Sequence, residues 1–190
     1  MDPNEKTLTD FRSLLDEFSE VVARANESWD SPSPCEGWTS GDVLDHVIDS
    51  ERDFFASHDL ALGARPTGTP EEVWRAHVSA VNSALTGPEV LAGEFDGFFG
   101  RSTIGATLAT FFNLDLVIHR WDLASALGTG TVLTDHEMDL AESALDTLGD
   151  AIYAHGACAA AVDLPADATR QVRLIARTGR DPRAWSSNRA

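Results

Sequence analysis

Asp115 and His119 stand four residues apart in FFNLDLVIHRWDLA, the most apolar helical stretch of the chain. At about 100° per residue, Ile104, Leu108, Phe111, Phe112, Asp115, His119, Asp122 and Ala126 fall on one helical stripe. An acid and an imidazole are therefore expected to point into a protein core. An unpaired buried carboxylate costs roughly several kcal/mol, so it must be hydrogen-bonded, ion-paired or bound to a metal. The D-x-x-x-H spacing sets two good ligands for a divalent cation one turn apart on one face. A third ligand from another helix would complete a site, and His46 in GDVLDHVIDSERDFF is the natural candidate. Spacing leaves two readings open. One is a three-ligand metal site with positions free for water or substrate. The other is a structural hydrogen bond between Asp115 and a core His119.

Other residues compete for chemical roles. Asp122 shares the stripe and could accept a hydrogen bond from His119, as ligating imidazoles usually require. It could equally pair with Arg120, which is expected to point outward, or with another arginine. Glu51 and His58 fall near the centre of the second helix's apolar arc. There they could form a buried polar pair, line a pocket or carry a proton at a shifted pKa, pairing being the favoured reading. A second D-x-x-x-H, Asp42 and His46, is read as helix capping by Asp42 and not as a second metal site. Cys35 precedes the second helix and reads as a small buried residue, with a reactive thiol as the alternative. His77, His136 and His155 have no partner at useful spacing and read as surface or helix-end residues. The chain has no G-x-S-x-G, no H-E-x-x-H and no phosphate-cradling glycine loop.

Five helical stretches must position these groups, with no convincing strand. The first spans about Thr7 to Ser28, and the segment DSPSPCEGW stops it because two prolines and a glycine cannot continue a helix. The second starts at Thr39, where Thr39 and Asp42 resemble a capping box, and runs to roughly Leu62. Thr69, Pro70, Glu71 and Glu72 open the third, which ends at Gly87-Pro88. LAGEFDGFFGRST is glycine-rich and aromatic and reads as an irregular connection. The fourth runs from near Ser102 or Thr103 to Leu127-Gly128, and Thr134 caps a fifth that ends at Gly156. The remainder, AVDLPADATRQVRLIARTGRDPRAW, reads as an extended strip with one small helix packed on a single-domain helical bundle spanning 1–190.

Composition excludes several function classes. The chain has 190 residues, enough to bury a core without disulfides, and its formal net charge is −17. Such a charge repels phosphate backbones and anionic membrane surfaces, so neither nucleic acid nor membrane is an expected partner. No apolar run is long enough to span a bilayer, and MDPNEKTLTD lacks an apolar signal segment, so a cytoplasmic location is expected. Cys35 and Cys158 then read as free thiols. The oligomeric state stays open, a homodimer included.

PCEGWTSGDVLDHV, followed later by NLDLVIHRWDLASALG, resembles the DinB-like superfamily of four-helix metal proteins. The chain is most similar to the actinobacterial branch named for the N-terminal domain of mycothiol-dependent maleylpyruvate isomerase. The resemblance implies an all-α four-helix bundle with a long crossover connection between the second and third helices, plus an added helix and short C-terminal extension. It implies that His46, Asp115 and His119 hold a divalent metal, and that a mycothiol-type thiol takes part. Zinc suits that ligand set best, and nickel also fits imidazoles without thiolate. A bound cation would lower the pKa of the thiol, which would attack a small electrophilic substrate in transfer or addition. Asp122 would fix His119, and Glu51 or His58 would handle a proton. The isomerase's acidic ligand is a glutamate and it carries a further substrate-holding domain. The expectation here is therefore a more general thiol-dependent activity, with a non-catalytic sensor or carrier as the rival reading.

Overall fold

Thr39, Thr69 and Thr134 each accept a hydrogen bond from a backbone amide three residues on, while an acid at that third position reaches back. These capping boxes fix where α2 (Ser40–Ser57), α3 (Pro70–Ala84) and α6 (Asp135–Leu148) begin. The computed structural model describes residues 2–26, 28–97, 100–154 and 156–187, the side chains of 186 and 187 excepted. His155 lies outside the described residues. α1 (Pro3–Val22) starts earlier than its apolar spacing suggests, because Asp2 caps it and Pro3 sits in its first turn. It also stops before Ser28, as α2 stops before Leu62.

Beyond α3, a 3₁₀ turn (Pro88–Ala92) leads into β1 (Glu94–Gly97) and β2 (Gly100–Thr103). The two strands pair antiparallel, with Glu94 opposite Thr103 and Gly97 opposite Gly100. A hairpin thus replaces the irregular connection expected here. Each strand has four residues and no buried face, so it lacks the alternation that would have announced it.

One helical path then runs from α4 (Ile104–Thr107) through a wide π turn (Leu108–Phe112) into α5 (Asn113–Leu127). It ends at Gly128, whose φ of 69° is the left-handed stop that glycine supplies. α5 packs against α1, α2 and α6, and α3 lies against α1 and α2. The expectation of a single inward stripe is corrected: α5 is buried on almost every side, Leu116, Val117, Trp121 and Leu123 included. A helix apolar all round belongs at the centre of a fold, and α5 occupies it.

Arg120, expected to face outward, is buried with the rest of α5. Its guanidinium reaches Glu137 of α6 at 2.8 Å and Glu17 of α1 at 3.0 Å, and its Nε donates to the Glu17 carbonyl. Two carboxylates and a carbonyl replace the water it gives up. The expected fifth helix breaks at Gly149 (φ 54°), leaving α6 and the short α7 (Ala151–Ala154). α8 (Arg170–Arg177) and α9 (Pro182–Ser187) follow, two short helices in place of one. The result is a helix-rich chain with one two-stranded sheet. Among the described residues, no helix is long and apolar enough to cross a membrane.

Candidate metal centre

Val43, Leu44, Val47 and Ile48 are fully buried on α2, which packs on α5 and sets His46 at the edge of that contact. The His46 side chain is 35% exposed, against 12% for Asp115 and 9% for His119. The structure brings the three together. His46 Nε2 lies 3.5 Å and His119 Nε2 3.3 Å from the same oxygen, Asp115 Oδ1. Both separations exceed the usual 2.7–3.2 Å, roughly, of an N–H···O bond. They match instead the edge of a tetrahedron, about 3.4 Å for metal–ligand bonds of about 2.1 Å. The other carboxylate oxygen, Asp115 Oδ2, is buried with no hydrogen-bond partner. A carboxylate left half-satisfied between two imidazoles is a donor set that a divalent cation fits.

Asp122, one turn after His119 on α5, holds that ring in place. Its Oδ2 lies 3.0 Å from His119 Nδ1, which makes Nδ1 the protonated nitrogen and frees the Nε2 lone pair for the centre. Arg180, between α8 and α9, donates to the same carboxylate at 2.7 Å, so Asp122 pairs with an arginine as well as the histidine. The Cys35 thiol donates to Asp122 Oδ2 at 3.2 Å and accepts from Arg180 Nη2 at 3.2 Å. Trp38 covers the rings, 4.9 Å between centroids from His46 and 6.1 Å, nearly parallel, from His119.

The electrostatics follow from this packing. Burial pushes the Asp115 carboxyl up, but the charge of protonated His119 and the contacts of both imidazoles outweigh it and hold it far below the carboxylate range. Burial likewise pushes His119 down, and Asp115, Asp122 and Cys35 together raise it well above its ordinary value. Asp122 is held low despite its burial by His119 and Arg180. The raised His119 favours an imidazolium between two carboxylates, so a cation bound at its Nε2 would have to displace a proton.

Cys35, His119 and Asp122 form a second group close enough to share an ion. The Arg180 guanidinium already neutralises that group, and His119 meets it only through a protonated Nδ1, so a cation is better served by His46, Asp115 and His119. Asp42 plays the capping role expected of it, bonding Thr39.

The remaining candidates lie elsewhere. Glu51 is fully buried and bonds His77 Nε2 at 2.8 Å. His77, expected at the surface, is therefore a core residue, and its partner sits 26 positions away on another helix. Burial raises the Glu51 pKa against the opposing pull of His77. His58 caps the end of α2 and packs between Phe54 and Phe95, about 18 Å along the helix from His46. It is not brought to the centre. His136 is half-exposed and lies 3.2 Å from Asp10.

A cavity of about 340 Å³ opens over the centre, lined by Cys35, Trp38, His46, Asp115, His119 and Arg180 among others. Cys158 lines it too, its thiol pushed up by burial. The sequence marks Cys35 chiefly as a small buried residue and gives Trp38, Cys158 and Arg180 no place in the site, whereas Cys35 is half-buried and bonded to Asp122 and Arg180. The P-C-E-G-W approach to α2 was the one available signal, since the other residues arrive from distant chain.

The family "Mycothiol maleylpyruvate isomerase N-terminal domain" matches residues 11–124, which include His46, Asp115, His119 and Asp122. Two uncharacterized proteins of Mycobacterium tuberculosis, from strains CDC 1551 / Oshkosh and ATCC 25618 / H37Rv, are each 26% identical over 121 residues. The match covers 62% of this chain and spans 65% of the length of those curated relatives. No solved structure matches the chain. With the matched segment covering more than half its length, the chain belongs to the mycothiol maleylpyruvate isomerase N-terminal domain family.

Proposed function

We propose that this chain binds a divalent cation through His46 Nε2, the Asp115 carboxylate and His119 Nε2, and works as a metal-dependent enzyme that joins a mycothiol-type thiol to a small electrophile. The observation that carries the reading is the pair of imidazole nitrogens set 3.5 and 3.3 Å from one carboxylate oxygen, whose sister oxygen is buried and unpartnered. Family membership supports the thiol. Zinc is the preferred ion, and nickel is compatible with imidazole and carboxylate donors. When bound, such a cation lowers the pKa of a thiol or water beside it and so supplies a nucleophile at neutral pH.

The chain's own groups supply the rest. Asp122 keeps the His119 proton on Nδ1, and Arg180 fixes Asp122 in turn. Trp38 shields both rings from bulk water on one side. Three protein ligands leave room for a thiol in the cavity above. Glu51 is engaged by His77, so we assign that pair to the core and not to proton transfer. We further propose that α1, α2, α3 and α5 form a DinB-like four-helix arrangement, with residues 58–69 as the crossover between α2 and α3.

Metal analysis of the chain purified without chelators tests the site, and thiol consumption with mycothiol and chlorodinitrobenzene tests the activity. The expected result is about one cation per chain, lost in His119→Ala, with a sulfur–carbon bond formed as chloride leaves. Stoichiometric metal retained by His119→Ala overturns the ligand set. Metal without thiol turnover leaves a binding protein and overturns the enzyme.

A further inference from the structure

The cavity above the metal centre adjoins a larger one of about 950 Å³, and Phe111 and Ala157 line both. Its size falls in the range of small-molecule sites, roughly 300–1,000 Å³. Phe54, Phe95 and Phe112 form its aromatic wall with Phe111, their rings in a chain of contacts from 4.9 to 5.9 Å between centroids. The hairpin carries Phe95, and the π turn carries Phe111 and Phe112. Wide turns of this kind recur at functional sites because they redirect side chains out of the helical register. Here the redirected segment stands between the two cavities.

Charge narrows the ligand class. Arg101 is the only charged residue among the described lining of the large cavity, and its guanidinium is bonded to Glu94. The cation of the neighbouring cavity, Arg180, is likewise held by Asp122. In the large cavity an anion would meet only one exposed guanidinium, already paired with Glu94, beside an otherwise uncharged aromatic wall in a chain of net charge −17. A neutral apolar body needs no charged partner there. Hydroxyl groups, Ser102 and Thr107 among them, give an uncharged ligand its few polar contacts.

We propose that the large cavity binds the apolar body, aromatic or branched, of an uncharged electrophile, whose reactive end reaches the metal centre past Phe111 and Ala157. The assignment rests on the proposed metal site for its chemistry, but binding in the aromatic cavity does not need the cation. The aromatic cavity therefore favours an uncharged body over a dicarboxylate.

The test uses 4-fluoroacetophenone, an uncharged aromatic ketone, followed by fluorine NMR on the full chain, metal-free and loaded with cobalt(II). Thr147→Trp, at an exposed position of α6 lining the cavity, and Thr110→Trp fill the space from two sides. Binding is expected to weaken at least about tenfold in both, with cobalt content unchanged. Maleate in excess is expected not to displace the probe, and bound cobalt is expected to shorten its relaxation times. Unaltered binding in both tryptophan variants, displacement by maleate, or absence of the relaxation effect in a chain that has bound cobalt overturns the proposal. A chain that takes up no cation but binds the probe with the same tryptophan sensitivity sinks the metal site alone and supports the cavity.

Discussion

Glu51–His77 and Asp115–His119 are both acid–histidine pairs of this helical core, and their geometries differ. Glu51 and His77 meet at 2.8 Å, within 0–1% of full burial, and neither lines a described cavity. Asp115 stands 3.3 Å from His119 and 3.5 Å from His46, under a cavity that a small molecule can enter. Both pairs contain buried polar atoms without partners, Glu51 Oε1 and His77 Nδ1 in one and Asp115 Oδ2 in the other. An orphaned atom therefore does not by itself mark a metal site. What separates the pairs is the longer spacing, the neighbouring His46 as a third candidate ligand, and the access.

Removing one member of the sealed pair strands a buried polar group, so His77→Ala is expected to destabilise the chain by about 3–5 kcal/mol while metal content stays intact. Urea unfolding beside metal analysis checks this, and a loss of metal without a loss of stability would merge the two pairs. His119→Ala is expected to weaken metal binding more than about a hundredfold, beyond what a merely orienting residue costs. Competition against a chromogenic chelator measures it. Asp122→Asn, which leaves His119 present but unheld, is expected to lose about ten- to a hundredfold in the same assay.

Acidity gives a subtler contrast. His119 in the metal-free chain is raised well above its ordinary value. Its contribution to stability is therefore complete below about pH 6.5 and is lost as pH rises through the folded-state value. The cation needs the deprotonated ring, so its binding tightens over the same window. The gain in Tm on adding zinc should thus grow from about pH 6 to about pH 8, as scanning fluorimetry would show. A gain that shrinks with pH would break the assignment. The smallest effect is expected from replacing the whole sealed pair: Glu51→Leu with His77→Phe should change stability by less than about 1.5 kcal/mol, because no polar group is then stranded.

Local signals in the sequence carried much of the fold. Thr39, Thr69 and Thr134 announce helix starts because capping is a contact between residues three apart, and Gly128 announces a stop for a similar reason. The convergence of His46 with Asp115 and His119 was legible for Asp115 and His119 from spacing, and for His46 from resemblance. Residues governed by distant partners were not legible. Arg120 is buried because Glu17 and Glu137 meet it, and His77 because Glu51 does. Arg180 reaches Asp122 across 58 positions, and no periodicity encodes that. The hairpin was hidden by its shortness, and the π turn by the absence of any composition that marks one.

That turn has a consequence for how the chain can change. It lies upstream of Asp115, so the four-residue step from Asp115 to His119 keeps its phase whatever happens before it. Deleting a single residue between Leu108 and Phe112 would tighten the coil to an ordinary α turn and leave the flanking segments nearly in phase, because the wide turn holds about one residue more. Asp115 and His119 would keep their step, while Phe111 and Phe112, which the turn itself carries, would be re-aimed. On the proposed assignments, one codon thus separates ligand preference from metal chemistry.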